Sequence, residues 1–238
     1  MTKVQELAKM IDHSILHPTF TDDDLKKQCE IAGEFNVASV CVKPYAVRLA
    51  KEWLKGSEVE VGCVIGFPHG NSSIEVKVFE TEMACKDGAT EIDMVINIGK
   101  ALAGQWDYVE EEILAITNAS HKYNAIVKVI FETDYITKTE DKIKLCEICT
   151  KVGADFVKTS TGYGFVKQAS GDFNYKGATV ADIELMRKYS GPNVKVKAAG
   201  GVRNLDDLLK MKAAGASRSG ATATEAILSE AVKRFGND

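Results

Sequence analysis

Short β-branched runs alternate with longer amphipathic stretches along the whole chain of 238 residues, and this rhythm is the strongest constraint on the fold. The runs are rich in Val and Ile and almost continuously apolar, as expected of strands that are buried on both faces. The predicted strands are Ile11–Leu16, Val37–Lys43, Glu60–Phe67, Thr90–Asn97, Ala125–Glu132, Asp155–Ser160, Val194–Ala199 and Ala216–Gly220. The predicted helices span residues 22–35, 45–55, 73–87, 106–121, 138–152, 179–189, 204–214 and 222–235. Eight strands, each followed by a helix, predict an α/β fold, a single-domain (β/α)8 TIM barrel over residues 1–238.

Residues that start and end helices agree with this alternation. Thr21 and Ser72, each with an acidic residue three positions later, and Asn204 indicate helix N-caps. Glycines that end a predicted helix shortly before a strand, where a left-handed conformation is typical, are Gly88, Gly153 and Gly215. A doubly wound sheet is the alternative fold, but it usually has fewer strands and a Gly-x-Gly-x-x-Gly first turn, which the sequence lacks.

The charge and composition exclude several classes of protein. The chain has 30 Lys and Arg against 34 Asp and Glu, without the basic excess typical of nucleic-acid-binding proteins. No apolar run approaches the ~18 residues of a membrane span, and the residues after Met1 lack the apolar core of a secretory signal. We therefore expect a cytoplasmic protein that binds neither nucleic acid nor membranes. Its six cysteines are interpreted as buried thiols, and Cys146 and Cys149 as ordinary helix residues instead of metal ligands.

Ionisable residues in or just after the predicted strands are the candidates for chemistry, because barrel active sites lie at the C-terminal ends of the strands. A charged side chain in a buried strand is costly unless it is paired or functional. The residues at such positions are Lys43, Asp93, Lys128, Glu132, Lys158, Lys195 and Lys197.

Lys158 is the strongest candidate for a nucleophile, because it follows an apolar run and precedes a polar, Gly-containing turn. Desolvation, and a second cation supplied by Lys197, would lower its pKa toward the ~7–8 of a nucleophilic lysine. The alternative is a buried lysine that is only paired with a carboxylate. Asp93, among apolar neighbours, could exchange protons with a lysine as a general acid and base, or could form only a salt bridge.

The remaining charged candidates are expected to support the site. Lys128 and Glu132 are expected to form a supporting charge network around the catalytic residues. Cys41, near the end of a strand, lies near the substrate or is a plain buried thiol. Lys195 shares a strand face with Lys197, and the sequence offers no explanation for this pair.

Turns rich in glycine and hydroxyl residues follow the sixth, seventh and eighth predicted strands. Backbone amides at helix N-termini bind phosphate, and in barrels this site often follows the last two strands. The candidate phosphate-binding residues are Thr161, Gly162, Gly200, Gly201, Gly220 and Thr222. Ordinary turn chemistry is the alternative explanation.

Three of these segments, Asp155–Gly162, Val196–Arg203 and Glu91–Asn97, resemble the signature strands of the 2-deoxyribose-5-phosphate aldolase family. Ile11–Leu16 and Ser39–Pro44 resemble the same family, so the likeness is collinear and covers nearly the whole chain. The resemblance implies a (β/α)8 barrel and a class I aldolase that uses no metal or other cofactor. It also implies a small phosphorylated sugar as substrate.

By this resemblance, Lys158 forms the Schiff base, Asp93 and Lys197 relay protons, and the glycine-rich turns bind phosphate. The implied reaction is the reversible cleavage of 2-deoxy-D-ribose 5-phosphate to glyceraldehyde 3-phosphate and acetaldehyde, in deoxyribonucleotide catabolism. A homodimer is also expected, because barrels of this kind often pair through their outer helices.

The sequence departs from the family pattern in three places. Residues 165–176 form an apparent insertion beside the expected phosphate site. His17 stands where a lysine is common, and the tail Phe235–Asp238 lacks the tyrosine of some members. The alternatives are therefore the same chemistry on a different phosphorylated sugar and a non-catalytic barrel that binds sugar phosphates. A third is a metal-dependent aldolase, with the candidate ligands His13, His17 and His69.

Overall fold

The computed structural model describes residues 1–236, so Asn237 and Asp238, at the end of the tail without a tyrosine, lie outside the described residues. Eight parallel strands in this range close into a barrel, and a separate antiparallel pair follows the sixth of them. The barrel strands are β1 (Ile11–Ile15), β2 (Ser39–Val42), β3 (Glu60–Ile65), β4 (Glu91–Val95), β5 (Ile126–Ile130), β6 (Phe156–Lys158), β9 (Lys195–Ala199) and β10 (Arg218–Ala221). The antiparallel pair is β7 (Val166–Lys167) and β8 (Phe173–Asn174).

Helices surround the barrel and follow its strands along the chain. Within residues 1–236 they are α1 (Lys3–Ala8), α2 (Asp22–Glu34), α3 (Val47–Trp53), α4 (Ile74–Lys86), α5 (Ile98–Leu102), α6 (Trp106–His121), α7 (Thr139–Val152), α8 (Val180–Tyr189), α9 (Leu205–Ala213) and α10 (Thr224–Phe235). Neighbouring barrel strands are also consecutive along the chain, apart from the antiparallel pair, and β1 closes the barrel against β10. The predicted TIM barrel is therefore confirmed.

Several predicted boundaries shift in the structure. Ser73, one residue after the predicted Ser72, is the N-cap of α4, because its hydroxyl accepts the backbone N–H of Val76 at 3.5 Å. The stretch 45–55 splits into a 3-10 turn, Pro44–Ala46, and helix α3, with proline at the first position of the turn. The six-residue α1 and the five-residue α5 were not predicted, because such short segments carry little amphipathic periodicity.

The predicted helix starts at Thr21 and Asn204 are confirmed. The Thr21 hydroxyl accepts from Asp24 N, and the Asn204 side chain accepts from Asp207 N. The three glycines predicted to end helices all have positive φ, of 110°, 76° and 109° at Gly88, Gly153 and Gly215. The last helix starts at Thr224, two residues later than predicted, because the last barrel strand continues to Ala221.

The apolar core lies between the strands and the helices, while the middle of the barrel is charged. Alternate strand residues such as Ile92, Val127 and Val196 belong to the large apolar cluster that packs under the helices. The intervening residues point into the barrel. Lys195 and Lys197 share the inward face, and their different depths separate them: Lys197 is buried in mid-barrel, whereas Lys195 is exposed at the start of β9. No helix in residues 1–236 is long and apolar enough to cross a membrane.

Candidate active site

Seven charged side chains from six strands form one ion-pair network inside the barrel. They all face inward because strand residues alternate between the two faces of the sheet. Each contact between neighbouring charges is 3.2 Å or shorter. The members are Asp12 on β1, Glu91 and Asp93 on β4, Lys128 on β5, Lys158 on β6, Lys197 on β9 and Arg218 on β10. We call this set the barrel network.

Asp93 contacts the other two residues predicted to be catalytic, Lys158 and Lys197. Its Oδ2 atom accepts hydrogen bonds from Lys158 Nζ and from Lys197 Nζ, each at 2.7 Å. Lys197 Nζ also lies 2.6 Å from Asp12 Oδ2. Lys158 is only 3% exposed. The sequence therefore identified a true spatial cluster, although the chain separates Asp93 and Lys197 by 104 positions.

Lys128 contacts the carboxylate oxygen of Asp93 that Lys158 does not contact. Its ammonium lies 2.9 Å from Asp12 Oδ2, 2.5 Å from Glu91 Oε2 and 3.0 Å from Asp93 Oδ1. Lys128 therefore contacts three carboxylates and Lys197 contacts two, while Lys158 contacts Asp93 alone. This ranking of anionic neighbours decides which lysine loses its proton most easily.

The pKa values of the lysines follow this ranking. Burial lowers the pKa of Lys158, the positive charge of Lys197 lowers it further, and Asp93 offsets only part of this. Burial also acts to lower the pKa of Lys197, but Asp12 and Asp93 outweigh it and raise that pKa above its usual value. The pKa of Lys128 is raised well above its usual value, because its carboxylate neighbours outweigh burial. Lys158 is therefore the amine that becomes neutral first.

The carboxylate of Asp93 stays ionised in this setting. Burial acts to raise its pKa, but Lys128, Lys158 and Lys197 together hold the pKa well below its usual value. Among the described residues of the barrel network, four cations face three carboxylates. A buried cluster with one surplus positive charge favours the loss of one proton, and Lys158 is the group that holds its proton least tightly.

A cleft of about 560 Å³ lies at the C-terminal end of the strands. All six residues predicted to bind phosphate line it. Gly200 and Gly201 both have φ of 82°, a conformation that glycine adopts readily and that sets the shape of the turn after β9. The residues predicted to bind phosphate therefore lie on one continuous surface, formed at the C-terminal ends of β6, β9 and β10.

Other residues of the cleft were missed by the sequence analysis. Arg203 lines it two residues after Gly201, and a basic residue next to a phosphate-type turn was a signal that could have found it. His17 and Tyr163 also line the cleft. Asp12 and Glu91 of the barrel network were missed too, although each is an acidic residue in an apolar strand, as Asp93 is.

The apparent insertion forms the hairpin β7–β8 at the edge of the cleft. Phe165 and Tyr175, at the two ends of the hairpin, line the cleft and pack edge to face with ring centres 5.5 Å apart. The Tyr135 hydroxyl donates to Phe165 O at 3.1 Å, and Asp134 Oδ1 accepts from Lys176 N at 2.6 Å. The loop after β5 therefore fixes both ends of the hairpin.

Glu132 supports the cleft in a different way from Lys128. It has φ of 57°, two residues after the end of β5, and its Oε2 atom accepts bonds from the amide and the hydroxyl of Thr161. Burial raises the pKa of Glu132, and Thr161 opposes this. Glu132 thus holds the turn after β6 instead of pairing with a lysine of the barrel network.

Cys41 is buried on β2, where it packs against Leu16 and Val64 beside the barrel network. Burial raises the pKa of its thiol to about 11. The thiol is therefore protonated at neutral pH, in agreement with the interpretation of a plain buried cysteine.

Two of the three candidate metal ligands, His13 and His17, are engaged in other contacts. His13 Nδ1 lies 2.7 Å from Thr224 Oγ1, and its Nε2 lies 2.8 Å from Gln28 Oε1. His17 Nδ1 bonds the Thr19 hydroxyl at 2.7 Å. In the part of the chain that the structure describes, no group of three or more His, Cys, Asp or Glu side chains is arranged to hold a metal ion.

Comparison with known proteins agrees with this arrangement. A sequence profile of the DeoC/LacD family aldolases matches residues 7–230. The chain belongs to the DeoC/LacD aldolase family. A relative from Rhodopirellula baltica, named deoxyribose-phosphate aldolase, is 48% identical over 231 residues, which are 97% of this chain and 91% of that protein. A relative of the same name from Caldicellulosiruptor saccharolyticus is 49% identical over 97% of this chain and all of its own length.

Solved structures of the family share the barrel. The aldolase QR15 superimposes with a TM-score of 0.87 at 36% identity, covering 96% of this chain and 97% of its own. The deoxyribose phosphate aldolase of Aeropyrum pernix, which is described as tetrameric, has a TM-score of 0.85 at 27% identity, covering 96% and 92% of the two chains.

Proposed function

We propose that the protein is a class I aldolase that reversibly cleaves 2-deoxy-D-ribose 5-phosphate to D-glyceraldehyde 3-phosphate and acetaldehyde. The observation that carries this proposal is Lys158, a buried amine with a single carboxylate contact in a network with surplus positive charge. Two relatives of nearly the same length, at 48% and 49% identity, bear the name of this activity. The reaction belongs to the breakdown of deoxyribonucleotide sugars.

The proposed chemistry begins at the neutral amine of Lys158. It attacks C1 of the open-chain sugar, and loss of water gives an iminium ion that withdraws electrons from the C2–C3 bond. Removal of the proton from the C3 hydroxyl lets that bond break, so that C3 becomes the aldehyde of glyceraldehyde 3-phosphate. The remaining enamine gains a proton at C2, and hydrolysis of the iminium ion releases acetaldehyde and restores the amine. The iminium ion supplies the electron sink, so the reaction needs no metal or other cofactor.

Lys197 and Asp93 are assigned the proton steps. Lys197 keeps its proton at neutral pH, since its pKa is raised, and it can donate to a leaving hydroxyl or to a bound water. Asp93 Oδ2 lies 2.7 Å from the Nζ atoms of both Lys158 and Lys197, so it is placed between the neutral amine and the proton donor. The ammonium of Lys128 contacts the second carboxylate oxygen of Asp93, Oδ1, at 3.0 Å.

The phosphate group is assigned to the glycine-rich side of the cleft. The backbone amides of Gly162, Gly200, Gly201 and Gly220 and the hydroxyl of Thr222 supply hydrogen-bond donors, while Thr161 lines the same surface and is held by Glu132. Arg203 adds a positive charge on the same surface. A sugar phosphate bound in this way lies over the C-terminal end of the barrel, where the buried amine can be reached.

The decisive experiment is reductive trapping. The protein is incubated with 2-deoxyribose 5-phosphate and borohydride, and the modified peptide is identified by mass spectrometry. We expect a stable adduct on Lys158 and none in a Lys158→Met variant. The Lys195→Met variant, altered on an exposed lysine at the other end of the barrel, is expected to form the adduct normally. A folded protein that forms no adduct with any aldehyde or ketone sugar phosphate would be a non-catalytic sugar-phosphate barrel instead.

A second candidate is the same chemistry on a different phosphorylated sugar. The hairpin β7–β8 favours it, because Phe165 and Tyr175 occupy one edge of the cleft beside the phosphate surface. Parallel trapping with other aldose and ketose phosphates separates the two candidates. An adduct on Lys158 that forms faster with another sugar would keep the mechanism and change the substrate.

The setting proposed for the enzyme is a cytoplasmic homodimer. All six cysteines are buried free thiols, which fits a reducing compartment. A tetrameric structure is described for the Aeropyrum pernix relative, so association of barrels has a precedent. Sedimentation of the purified protein measures the oligomeric state directly: a single species of twice the 25.9 kDa chain mass supports the dimer.

A further inference from the structure

We propose that Arg218, at the opposite end of the barrel from the cleft, is a positioning residue that keeps Lys158 in its nucleophilic form. This inference rests on the proposed Schiff-base function and assigns a role to a residue far from the substrate. Arg218 is the first residue of β10, and its side chain is 19% exposed at the N-terminal mouth of the barrel.

An unbroken chain of ion pairs joins Arg218 to Lys158. The Arg218 guanidinium lies 2.5 Å from Asp12 Oδ1 and 3.2 Å from Glu91 Oε1. Asp12 in turn contacts Lys197, which shares Asp93 Oδ2 with Lys158. These side chains are buried apart from the edge of Arg218, so water screens the charges only weakly.

The charge of Arg218 gives the barrel network its surplus. With Arg218, four cations face three carboxylates, and neutral Lys158 balances the network. Without Arg218, three cations would balance three carboxylates only if Lys158 kept its proton. Removal of the guanidinium should therefore move Lys158 toward the protonated, unreactive state.

The distance is short enough for the effect to be measured. In the strand register Lys158 lies opposite Lys197, which lies opposite Arg218, so Arg218 is two strands from Lys158. Two strand spacings are roughly 10 Å. At an effective dielectric constant of about 20, one charge at this distance shifts a titration by about 1 pH unit.

Other charged and titratable groups face the two residues. Those around Lys158 are Asp93 on β4, Lys197 on β9, Cys41 on β2, Lys128 on β5 and Glu132 after β5. Those around Arg218 are Asp12 on β1, Glu91 on β4, and Lys195 and Asp155 at the same mouth. Arg218 and Glu91 can be changed without touching the groups that contact Lys158 itself.

The test uses two variants with opposite expected signs. Arg218→Gln removes a cation, and the acid limb of the pH profile of kcat/KM should move up by about 1 pH unit. Glu91→Gln removes an anion and should move the same limb down. The double variant restores the surplus charge and should return the limb close to that of the unchanged protein. The rate of borohydride trapping is measured over the same pH range as a second readout.

Controls separate this electrostatic role from a structural one. Arg218→Lys keeps a cation and should keep the limb in place, and so should Lys195→Gln at the same mouth, whose ammonium lies 5.7 Å from the ring centre of Phe156. The proposal is overturned if the acid limb moves in the same direction in Arg218→Gln and Glu91→Gln. It is also overturned if the variants are slower but the acid limb stays in place. If Arg218→Gln does not fold, Glu91→Gln and Arg218→Lys still decide it. Absence of any Lys158 adduct in the unchanged protein would refute the proposed function itself.

Discussion

At the scale of single residues, three buried lysines of the barrel differ in how readily they lose a proton, because each contacts a different number of carboxylates. Lys128, Lys197 and Lys158 are all buried lysines on barrel strands. They contact three, two and one carboxylates respectively, so one barrel interior holds two permanent cations and one amine that can become neutral. A nucleophile and its proton donor thus arise from the same residue type through different neighbours.

A Lys197→Leu variant tests this assignment. Loss of the neighbouring cation should raise the pKa of Lys158, and loss of the proton donor should slow the steps that follow. We expect kcat at pH 7 to fall by about 10²-fold or more, with the acid limb of the pH profile moved to higher pH. Steady-state kinetics between pH 6 and 10 measure both effects.

The matched control is Lys195→Leu, on the same strand and the same face but exposed to solvent. It should leave the pH profile unchanged. A Lys197→Leu enzyme with an unmoved acid limb would contradict the proposed influence of Lys197 on Lys158.

The sequence singled out three candidate residues that the structure brings together, but not their connections to the rest of the network. Lys158, Lys197 and Asp93 were found because a charge in a buried strand must be paired or functional. That Asp12 and Arg218 join the same network depends on the register of β1 and β10, which meet only when the barrel closes. Local patterns carry no information about which residues become opposite one another across that seam.

At the scale of elements, the strands were predictable and the hairpin was not. Most barrel strands are buried and rich in apolar residues, whereas β7 and β8 are two-residue strands whose residues are exposed. The hairpin exists because contacts from elsewhere hold it, from Tyr135 and Asp134 after β5. Gly177, at its end, has φ of 71°, and a Cβ atom there would lie 2.6 Å from the Gly200 backbone. The hairpin is thus packed directly onto the expected phosphate turn.

Replacing an aromatic residue of the hairpin should therefore change substrate binding more than stability. We expect Tyr175→Ala to raise KM for the sugar phosphate several-fold, because its ring lines the cleft and packs on Phe165. We expect kcat to change less, since the barrel network is untouched. Phe173→Ala is the control, because Phe173 lies on the same hairpin with 64% of its surface exposed. Equal effects of both variants on KM would show that the hairpin does not select the substrate.

At the scale of the whole molecule, polar and apolar interiors are kept apart by the sheet. The barrel network lies inside, and the apolar cluster lies between sheet and helices. One ion pair, Lys77 on α4 with Glu112 on α6, breaks this division, with both side chains fully buried in the outer layer. Lys77 also donates to Gly70 O at 2.7 Å and Val95 O at 2.8 Å. The pair therefore ties two helices to the loop after β3 and to the end of β4.

Breaking this pair should destabilise the whole barrel. Lys77→Met leaves Glu112 buried with the amide of Asn97 as a remaining donor, at 2.7 Å. An uncompensated buried carboxylate costs about 3–5 kcal/mol, which for a chain of this length lowers Tm by roughly 10 °C. Lys77→Met combined with Glu112→Gln should recover part of the loss, because the unpaired charge is gone while two carbonyls still lack their donor.

Arg48→Met breaks a pair whose arginine is 74% exposed, and it should cost less than about 1 kcal/mol. Thermal unfolding of the four proteins measures these differences, and an equal Tm for Lys77→Met and Arg48→Met would mean that the buried pair contributes no more than a surface one.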